Sequence, residues 1–143
     1  MNYYEDVAQN CMFTKLRQVS RYVTNIYSKS MKEVGLTPVQ SSMMTAIKLL
    51  NNANINALSQ ALNMDRTTIN RNLKPLIRSE IVYIGECEDK REKLVSLTKK
   101  GEDVYDRGYV KWKEAQHELE NRIGKESWNK MNGMLDDIIQ KIE

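Results

Sequence analysis

The sequence has few of the residues that build metal sites, disulfide frameworks or hydrolytic centres. Its 143 residues include two cysteines, one histidine, two prolines and one phenylalanine. Cys11 and Cys87 are far apart and form no CxxC pair, so neither a zinc ribbon nor a disulfide scaffold is expected. His117 has polar neighbours, which argues against Ser-His or Cys-His hydrolysis. Since no glycine-rich phosphate loop or cluster of metal ligands is present, we expect no enzyme, no cofactor and no metal.

Net charge and long apolar runs are also scarce. Twenty-two Lys and Arg residues oppose nineteen Asp and Glu residues, which gives a net charge of +3. A polyanion would therefore have to be bound by a local cluster of cations rather than by the overall field. No apolar run approaches the roughly 20 residues of a membrane span, and the first residues are polar and acidic. We expect one soluble, unexported, cytoplasmic domain with no membrane partner.

Apolar periodicity predicts a mainly helical chain. From about residue 5 to residue 34 an amphipathic stripe without proline or glycine predicts one helix of ~30 residues and ~45 Å, which Gly35 ends. Such a helix outreaches a small domain and leaves apolar surface for a partner subunit. Thr37 and Pro38 predict the start of a second helix, whose expected buried residues are Val39, Met43, Ala46, Ile47 and Leu50. Thr98 predicts a later long helix, which Gly124 separates from a last amphipathic helix. The apolar residues that keep helical spacing along the first of these are Val104, Trp112, Ala115, Leu119 and Ile123.

The stretch from residue 65 to residue 97 says most about function. Asp65 is expected to cap a helix that begins near Arg66 and packs through Ile69, Leu73, Leu76 and Ile77, with a kink at Pro75. The opposite face carries guanidinium, hydroxyl and amide groups, which suit base edges and phosphates in a major groove. These residues are Arg66, Thr67, Asn70, Arg71, Lys74 and Arg78.

A short helix over about residues 56–62 precedes this helix, so the two predict a helix-turn-helix. Residues 81–84 and 93–97 then predict a hairpin, or wing, whose tip carries Asp89, Lys90 and Arg91 and can place a cation in a minor groove. Lys90 and Lys93 are candidates for phosphate contacts. So are Thr37 and Gln40 at the start of the second helix, for which simple capping is the equal alternative.

Five segments, in this order and spacing, resemble the successive signatures of MarR-type regulators. They are GLTPVQ (35–40), LSQAL (58–62), MDRTTINRNL (64–73), DKR (89–91) and VSLTKKG (95–101). The resemblance runs from about residue 11 to residue 128. It implies a homodimer in which residues 1–34 and 99–143 form a helical dimerisation region around a winged-helix DNA-binding core, residues 36–98. It further implies that Arg66, Thr67, Thr68, Asn70 and Arg71 approach the major groove, and that Arg91 enters the minor groove with Asp89 holding its guanidinium.

The same resemblance implies control by a signal. Family members often lose DNA affinity when a small aromatic anion binds between the dimer helices and the winged core, and others respond to oxidation of a cysteine in the first helix. A small aromatic or phenolic effector is therefore one expectation. Cys11 is the candidate redox sensor, with Lys15 as a source of thiolate stabilisation; the alternative is a small apolar residue on a packing face.

Taken together, the sequence predicts a mainly α-helical protein with a small β-hairpin wing that acts as a homodimeric transcriptional regulator. As a repressor it would bind a pseudo-palindromic operator in double-stranded DNA and leave it in response to a small molecule or an oxidant. The alternative interpretation is a winged-helix protein-interaction module without sequence-specific DNA binding.

Overall fold

Helices form most of the molecule, and one hairpin is inserted between them. A computed structural model describes residues 2–88 and 91–143. Over those residues the chain forms seven α-helices, one 3₁₀ turn and two antiparallel strands, which confirms the predicted fold class. In chain order the elements are α1 (Tyr3–Asn10), α2 (Met12–Met31), the 3₁₀ turn (Lys32–Val34), α3 (Pro38–Leu50), α4 (Ile55–Leu62), α5 (Arg66–Arg78), β1 (Val82–Glu86), β2 (Lys93–Leu97), α6 (Lys99–Ile123) and α7 (Lys125–Ile142).

The start of α3 is fixed by local signals that are visible in the sequence. Gly35 has a φ of 72°, a left-handed conformation that glycine adopts without strain, and ends the 3₁₀ turn. The Thr37 hydroxyl accepts from the Gln40 backbone N–H at 3.1 Å, and the Gln40 side chain accepts from the Thr37 N–H at 3.0 Å. With Pro38 at the first helical position, this capping box begins α3 where it is predicted to begin.

The prediction of one long N-terminal helix is wrong, because the chain breaks at Cys11. This residue has a ψ of 110°, an extended value, and it ends α1 and precedes α2. Its N–H still donates to the Val7 carbonyl, and its carbonyl accepts from the Lys15 N–H, both at 3.1 Å. The extended ψ turns the peptides between these bonds out of the helical ladder, so α1 and α2 are separate helices. Neither proline nor glycine marks this break in the sequence.

The hydrophobic core lies in the winged unit and at the start of α6. Its centre is formed by side chains that are at most 1% exposed: Met43, Met44, Leu58, Ile69 and Leu73. The sequence pattern also placed Leu50 and Ile77 on buried faces, but both are 36% exposed. Each lies in the last turn of its helix, where the helix runs past the core. Val39 is half-buried.

A close backbone approach attaches the hairpin to the start of α6. The strand register places Val82 opposite Leu97 and Glu86 opposite Lys93, so β1 is shifted from the predicted residues 81–84. The Thr98 hydroxyl donates to the Glu80 carbonyl at 2.5 Å, with the Ile81 carbonyl at 3.2 Å, and it accepts from the Gly101 N–H at 2.9 Å. A Cβ atom at Gly101 would overlap the Ile81 carbonyl oxygen, so glycine is required where α6 crosses β1.

The terminal helices are less completely packed than the core. α2 lies along α6, where the Tyr27 hydroxyl donates to the Gln116 side chain and the Ser30 hydroxyl donates to the Lys111 carbonyl at 2.7 Å. Gly124, with a φ of 88°, separates α6 from α7 as predicted. Neither α1 nor α7 contains a buried residue. On the apolar stripe of α6, Val104, Ala115 and Leu119 are buried, whereas Trp112 is 38% exposed. Within the described residues, no helix has the length and apolarity to cross a membrane.

Candidate nucleic-acid interface

The candidate reading helix, α5, begins at the predicted cap. One Asp65 oxygen accepts from the Thr68 backbone N–H at 2.7 Å, and the other accepts from the Thr68 hydroxyl at 3.0 Å. These hydrogen bonds, the backbone one first, lower the pKa of the Asp65 carboxyl, which therefore stays ionised at neutral pH. Thr68 is half-buried and its hydroxyl is engaged by Asp65, so the structure places this side chain in the cap rather than on the exposed face.

The remaining predicted reading residues share one exposed face of α5. At about 100° per residue, Arg66 and Arg71 lie about 140° apart around the helix axis, and Lys74 lies within the arc between them. Ile69, Leu73 and Leu76 are buried on a neighbouring arc of about 60°, which ends beside Arg66. The exposed set comprises Arg66, Thr67, Asn70, Arg71, Lys74 and Arg78. Apolar packing therefore fixes the direction in which the guanidinium, amide and hydroxyl groups point.

Pro75 does not end α5, which continues to Arg78 as predicted. The proline nitrogen cannot donate to the carbonyl of Arg71. The next turn forms normally, since the Ser79 N–H donates to the Pro75 carbonyl at 3.0 Å. The cationic face is therefore carried by one helix over its whole length.

A tight turn places α4 against the start of α5. Asn63 ends α4 with a φ of 48°, a left-handed value that asparagine tolerates. The Ser59 hydroxyl donates to the Met64 carbonyl, and the Met64 N–H donates to the Ser59 carbonyl at 3.0 Å. These contacts give α4 and α5 the helix-turn-helix arrangement that the sequence predicts.

The wing brings two further predicted residues close to α5. Arg91 and Lys93 are exposed, and both line a cleft of about 200 Å³ together with Arg66, the first residue of α5. The other predicted wing residues, Asp89 and Lys90, lie outside the described residues. The structure thus joins the wing and the start of the reading helix around one basic cleft.

Two residues that line this cleft were not among the predicted site residues. Asn54 caps α4 by accepting the Ala57 N–H at 2.7 Å, and Asn56 lies in the first turn of α4. The sequence pattern marks residues 51–54 only as an amide-rich loop. Their position beside the wing depends on the pairing of Ala53 with Val95, a contact between distant residues that no local pattern encodes.

Thr37 and Gln40, the other predicted phosphate-contact residues, form the capping box of α3. Gln40 is 8% exposed, and its side-chain oxygen accepts from the Thr37 N–H. Capping is therefore the role that these two side chains have in the structure. Their contact with phosphate stays a prediction.

A second cleft lies where α3 of the winged core meets α6. It has a volume of about 410 Å³ and is lined by Ser41, Ser42, Thr45, Tyr105, Tyr109 and Trp112. The rings of Tyr109 and Trp112 stack with centroids 5.6 Å apart, and the hydroxyls of Thr45 and Tyr105 lie 3.2 Å apart. A neighbouring cleft of about 300 Å³ shares Ser41, Ser42, Thr45 and Trp112 and extends to Tyr27 and Met31 of α2. The described lining is aromatic and hydroxylic and includes no lysine or arginine.

Cys11 occupies the break between α1 and α2 and is half-buried. The hydroxyl of Thr14, and then its backbone N–H, lowers the pKa of the Cys11 thiol by stabilising the thiolate. Lys15, the source expected from the sequence, is not among the groups that shift this pKa. Among the described residues, no group of three or more His, Cys, Asp or Glu side chains could hold a metal ion.

The fold and the exposed face of α5 define a winged helix-turn-helix protein with long helical flanks. No family model matches the chain. A curated relative, the uncharacterized HTH-type transcriptional regulator YwoH of Bacillus subtilis, is 29% identical over 105 residues, or 73% of this chain and 77% of the relative. The transcriptional regulator MosR of M. tuberculosis, solved in complex with DNA, has a TM-score of 0.81 at 25% identity over 93% of this chain and 96% of that chain.

Two further solved structures share this fold at lower identity. The S. aureus MepR–DNA complex has a TM-score of 0.80 at 17% identity, and covers 94% of this chain and 100% of that chain. A MarR mutant from E. coli in complex with operator DNA has a TM-score of 0.83 at 16% identity. The match covers 93% of this chain and 96% of that chain. These comparisons confirm the resemblance to MarR-type transcriptional regulators, and the relatives named here are regulators rather than enzymes.

Proposed function

We propose that two copies of this chain bind a pseudo-palindromic operator in duplex DNA and repress transcription from it. The exposed face of α5, which presents Arg71, Asn70 and Thr67 beside the wing, is the observation that carries the proposal. Each α5 lies in a major groove, and the half-sites are about one helical turn apart. Each wing reaches the flanking minor groove through Arg91.

Exposed apolar residues on the terminal helices support the homodimer. Tyr3 and Tyr4 of α1 are 77% and 80% exposed, and Ile139 and Ile142 of α7 are 57% and 79% exposed. Apolar side chains repeated along two helices of one chain are typical of a subunit interface. A second copy supplies the same surface, so the interface can close with twofold symmetry.

The cleft between α3 and α6 supports control by a small aromatic or phenolic effector. The stacked Tyr109 and Trp112 offer ring faces, and the Thr45 and Tyr105 hydroxyls offer hydrogen bonds. Lys48 and Lys113 lie over the rings of Tyr105 and Tyr109, at 5.8 Å and 5.4 Å from the ring centroids, so the site suits an aromatic ligand with a hydroxyl or acidic group. A ligand at this junction changes the distance between the two winged cores, and only one distance matches successive major grooves.

Oxidation of Cys11 is the second candidate signal. Thr14 lowers the pKa of its thiol, which favours the reactive thiolate. Peroxide added to the protein–operator complex is expected to release the DNA from the parent but not from Cys11→Ser. An equal response of both proteins to peroxide would exclude Cys11 as the sensor. The aromatic effector is tested by adding phenol, instead of peroxide, to the complex of the parent protein with its operator.

Arg71→Ala tests the assignment of α5. The variant is expected to lose specific operator binding, by about 5-fold to 160-fold for each base contact, while it remains a dimer. The operator is first selected from fragments of the parent genome, and affinity is then measured by gel-shift titration. Arg107→Ala on α6 removes an exposed arginine outside the interface and is the matched control. Unchanged affinity in Arg71→Ala would contradict the proposal.

The wing is tested separately with Arg91→Ala. This substitution is expected to weaken binding to all sequences with a smaller effect on sequence preference, because the minor groove distinguishes base pairs poorly.

If no duplex is bound by the parent at low salt across many sequences, the chain is instead a winged-helix protein-interaction module.

A further inference from the structure

The basic cleft at the root of the wing is formed by three elements that are distant in sequence. The first turn of α4 contributes Asn54 and Asn56, the first residue of α5 contributes Arg66, and the wing contributes Arg91, Glu92 and Lys93. Its volume of about 200 Å³ is sufficient for one phosphate group with its hydration.

The charges around the cleft favour an anion. Among the described residues that line it, Arg66, Arg91 and Lys93 are cationic and Glu92 is anionic. Arg66 and Lys93 are exposed, and within residues 2–88 and 91–143 neither side chain forms a salt bridge. The Asn56 side-chain amide and the positive end of α4 add neutral donors on the third side.

Arg66 lies at the edge of the reading face. It is about 140° around the helix from Arg71, and it borders the cleft that the wing and α4 share. Arg71 lies at the other edge of the same face, and neither Arg71 nor Asn70 is among the described residues that line the cleft. The position of Arg66 therefore separates it chemically from Arg71 and Asn70.

We infer that this cleft binds one backbone phosphate of the DNA, with Arg66 and Lys93 as its joint ligands and Asn56 as a neutral donor. The inference rests on the proposed function and assigns Arg66 to the phosphate rather than to a base. A single phosphate held between α4, α5 and the wing fixes the wing relative to the reading helix. Insertion of the wing and docking of α5 are thereby coupled.

Arg66→Gln, Lys93→Gln and the double variant test this site against the selected operator. Binding is measured from 50 mM to 300 mM salt. Loss of one phosphate contact reduces the magnitude of the slope of log K against log salt by about 0.9, so loss of this contact in both subunits of the dimer reduces it by about 1.8. We expect that full loss only in the double variant and a smaller loss in each single variant, because either cation alone still neutralises the shared phosphate. Arg107→Gln and Lys125→Gln are matched controls outside the cleft and are expected to leave the slope unchanged.

Duplexes with one neutral methylphosphonate linkage, moved along the operator, locate the phosphate. The parent is expected to lose affinity when one particular linkage in each half-site is neutral, and the double variant is expected to be insensitive to that same linkage. Additive losses from the two single variants, or relaxed base preference in Arg66→Gln with an unchanged salt slope, would overturn the inference. A parent that binds no duplex would instead contradict the proposed function.

Discussion

The winged core and the terminal helices bury their apolar residues to very different extents. In the core, Met44, Leu58 and Ile69 are fully covered by their own chain. In α1 and α7 no residue is buried, and side chains such as Tyr4 and Ile142 stay about four-fifths exposed, at 80% and 79%. Burial of apolar surface contributes about 25 cal/mol per Å², so the core gains its stability within one chain. The terminal helices are also amphipathic, but their own chain leaves most of their apolar surface uncovered, which is the surface that the proposed homodimer would bury.

The largest expected effect comes from breaking the core at Gly101. In Gly101→Ala the new Cβ overlaps the Ile81 carbonyl oxygen, a backbone atom that cannot rotate away. If α6 moves away from the hairpin to relieve this overlap, the hydrogen bonds of Thr98 are lost as well. We expect the free energy of unfolding to fall by about 3 kcal/mol, measured by urea denaturation.

Gly108→Ala is the matched control on the same helix. There the added Cβ meets only the Leu36 Cδ1 atom, at 3.5 Å, which is ordinary van der Waals contact. Alanine favours a helix by about 1 kcal/mol over glycine, so this variant is expected to be as stable as the parent or more stable. Equal destabilisation by the two substitutions would show that the approach of Gly101 to Ile81 is not what requires glycine.

The next effect concerns the terminal helices alone. Ile138→Glu places a charge on the apolar face of α7, where the side chain is 40% exposed in the single chain. A charge in an apolar interface is strongly unfavourable, so light scattering is expected to give the mass of a monomer. Operator affinity should then fall by about 100-fold or more, because the half-sites are no longer bound by linked domains.

Gln140→Glu adds the same charge to the polar face of α7 and is expected to stay dimeric. The circular dichroism of both variants should match the parent, since the core does not depend on α7. If the Ile138→Glu protein is monomeric and its core is unfolded, the winged core does not fold independently of the dimer. That result would contradict the comparison between the core and the terminal helices.

The same division explains what the sequence could predict. The caps at Thr37, Asp65 and Thr98 were predicted because each depends on residues within three positions of it. The basic cleft was not, because Arg66 and Lys93 are brought together by packing and by the pairing of Ala53 with Val95. Apolar periodicity also could not distinguish positions covered by the chain, such as Leu73, from exposed ones, such as Ile77 and Trp112.

The smallest expected effect concerns the reactivity of the Cys11 thiol, which lies at the break between α1 and α2 in the N-terminal flank. The Thr14 hydroxyl stabilises the Cys11 thiolate and so lowers the pKa of the thiol. Thr14→Val removes the hydroxyl at nearly constant volume, so the pKa rises, and less thiolate is present at any pH near neutrality. In a Cys87→Ser background, iodoacetamide is therefore expected to alkylate Cys11 more slowly, with its rate profile moved to higher pH.

Thr24→Val, farther along α2, is the control for the loss of a threonine hydroxyl from the same helix. It is expected to leave the alkylation profile in place, because its hydroxyl lies several turns from Cys11. If Thr14→Val also leaves the profile unchanged, Thr14 does not stabilise the thiolate. The break at Cys11 would then be only a joint between α1 and α2, with no influence on the chemistry of the thiol.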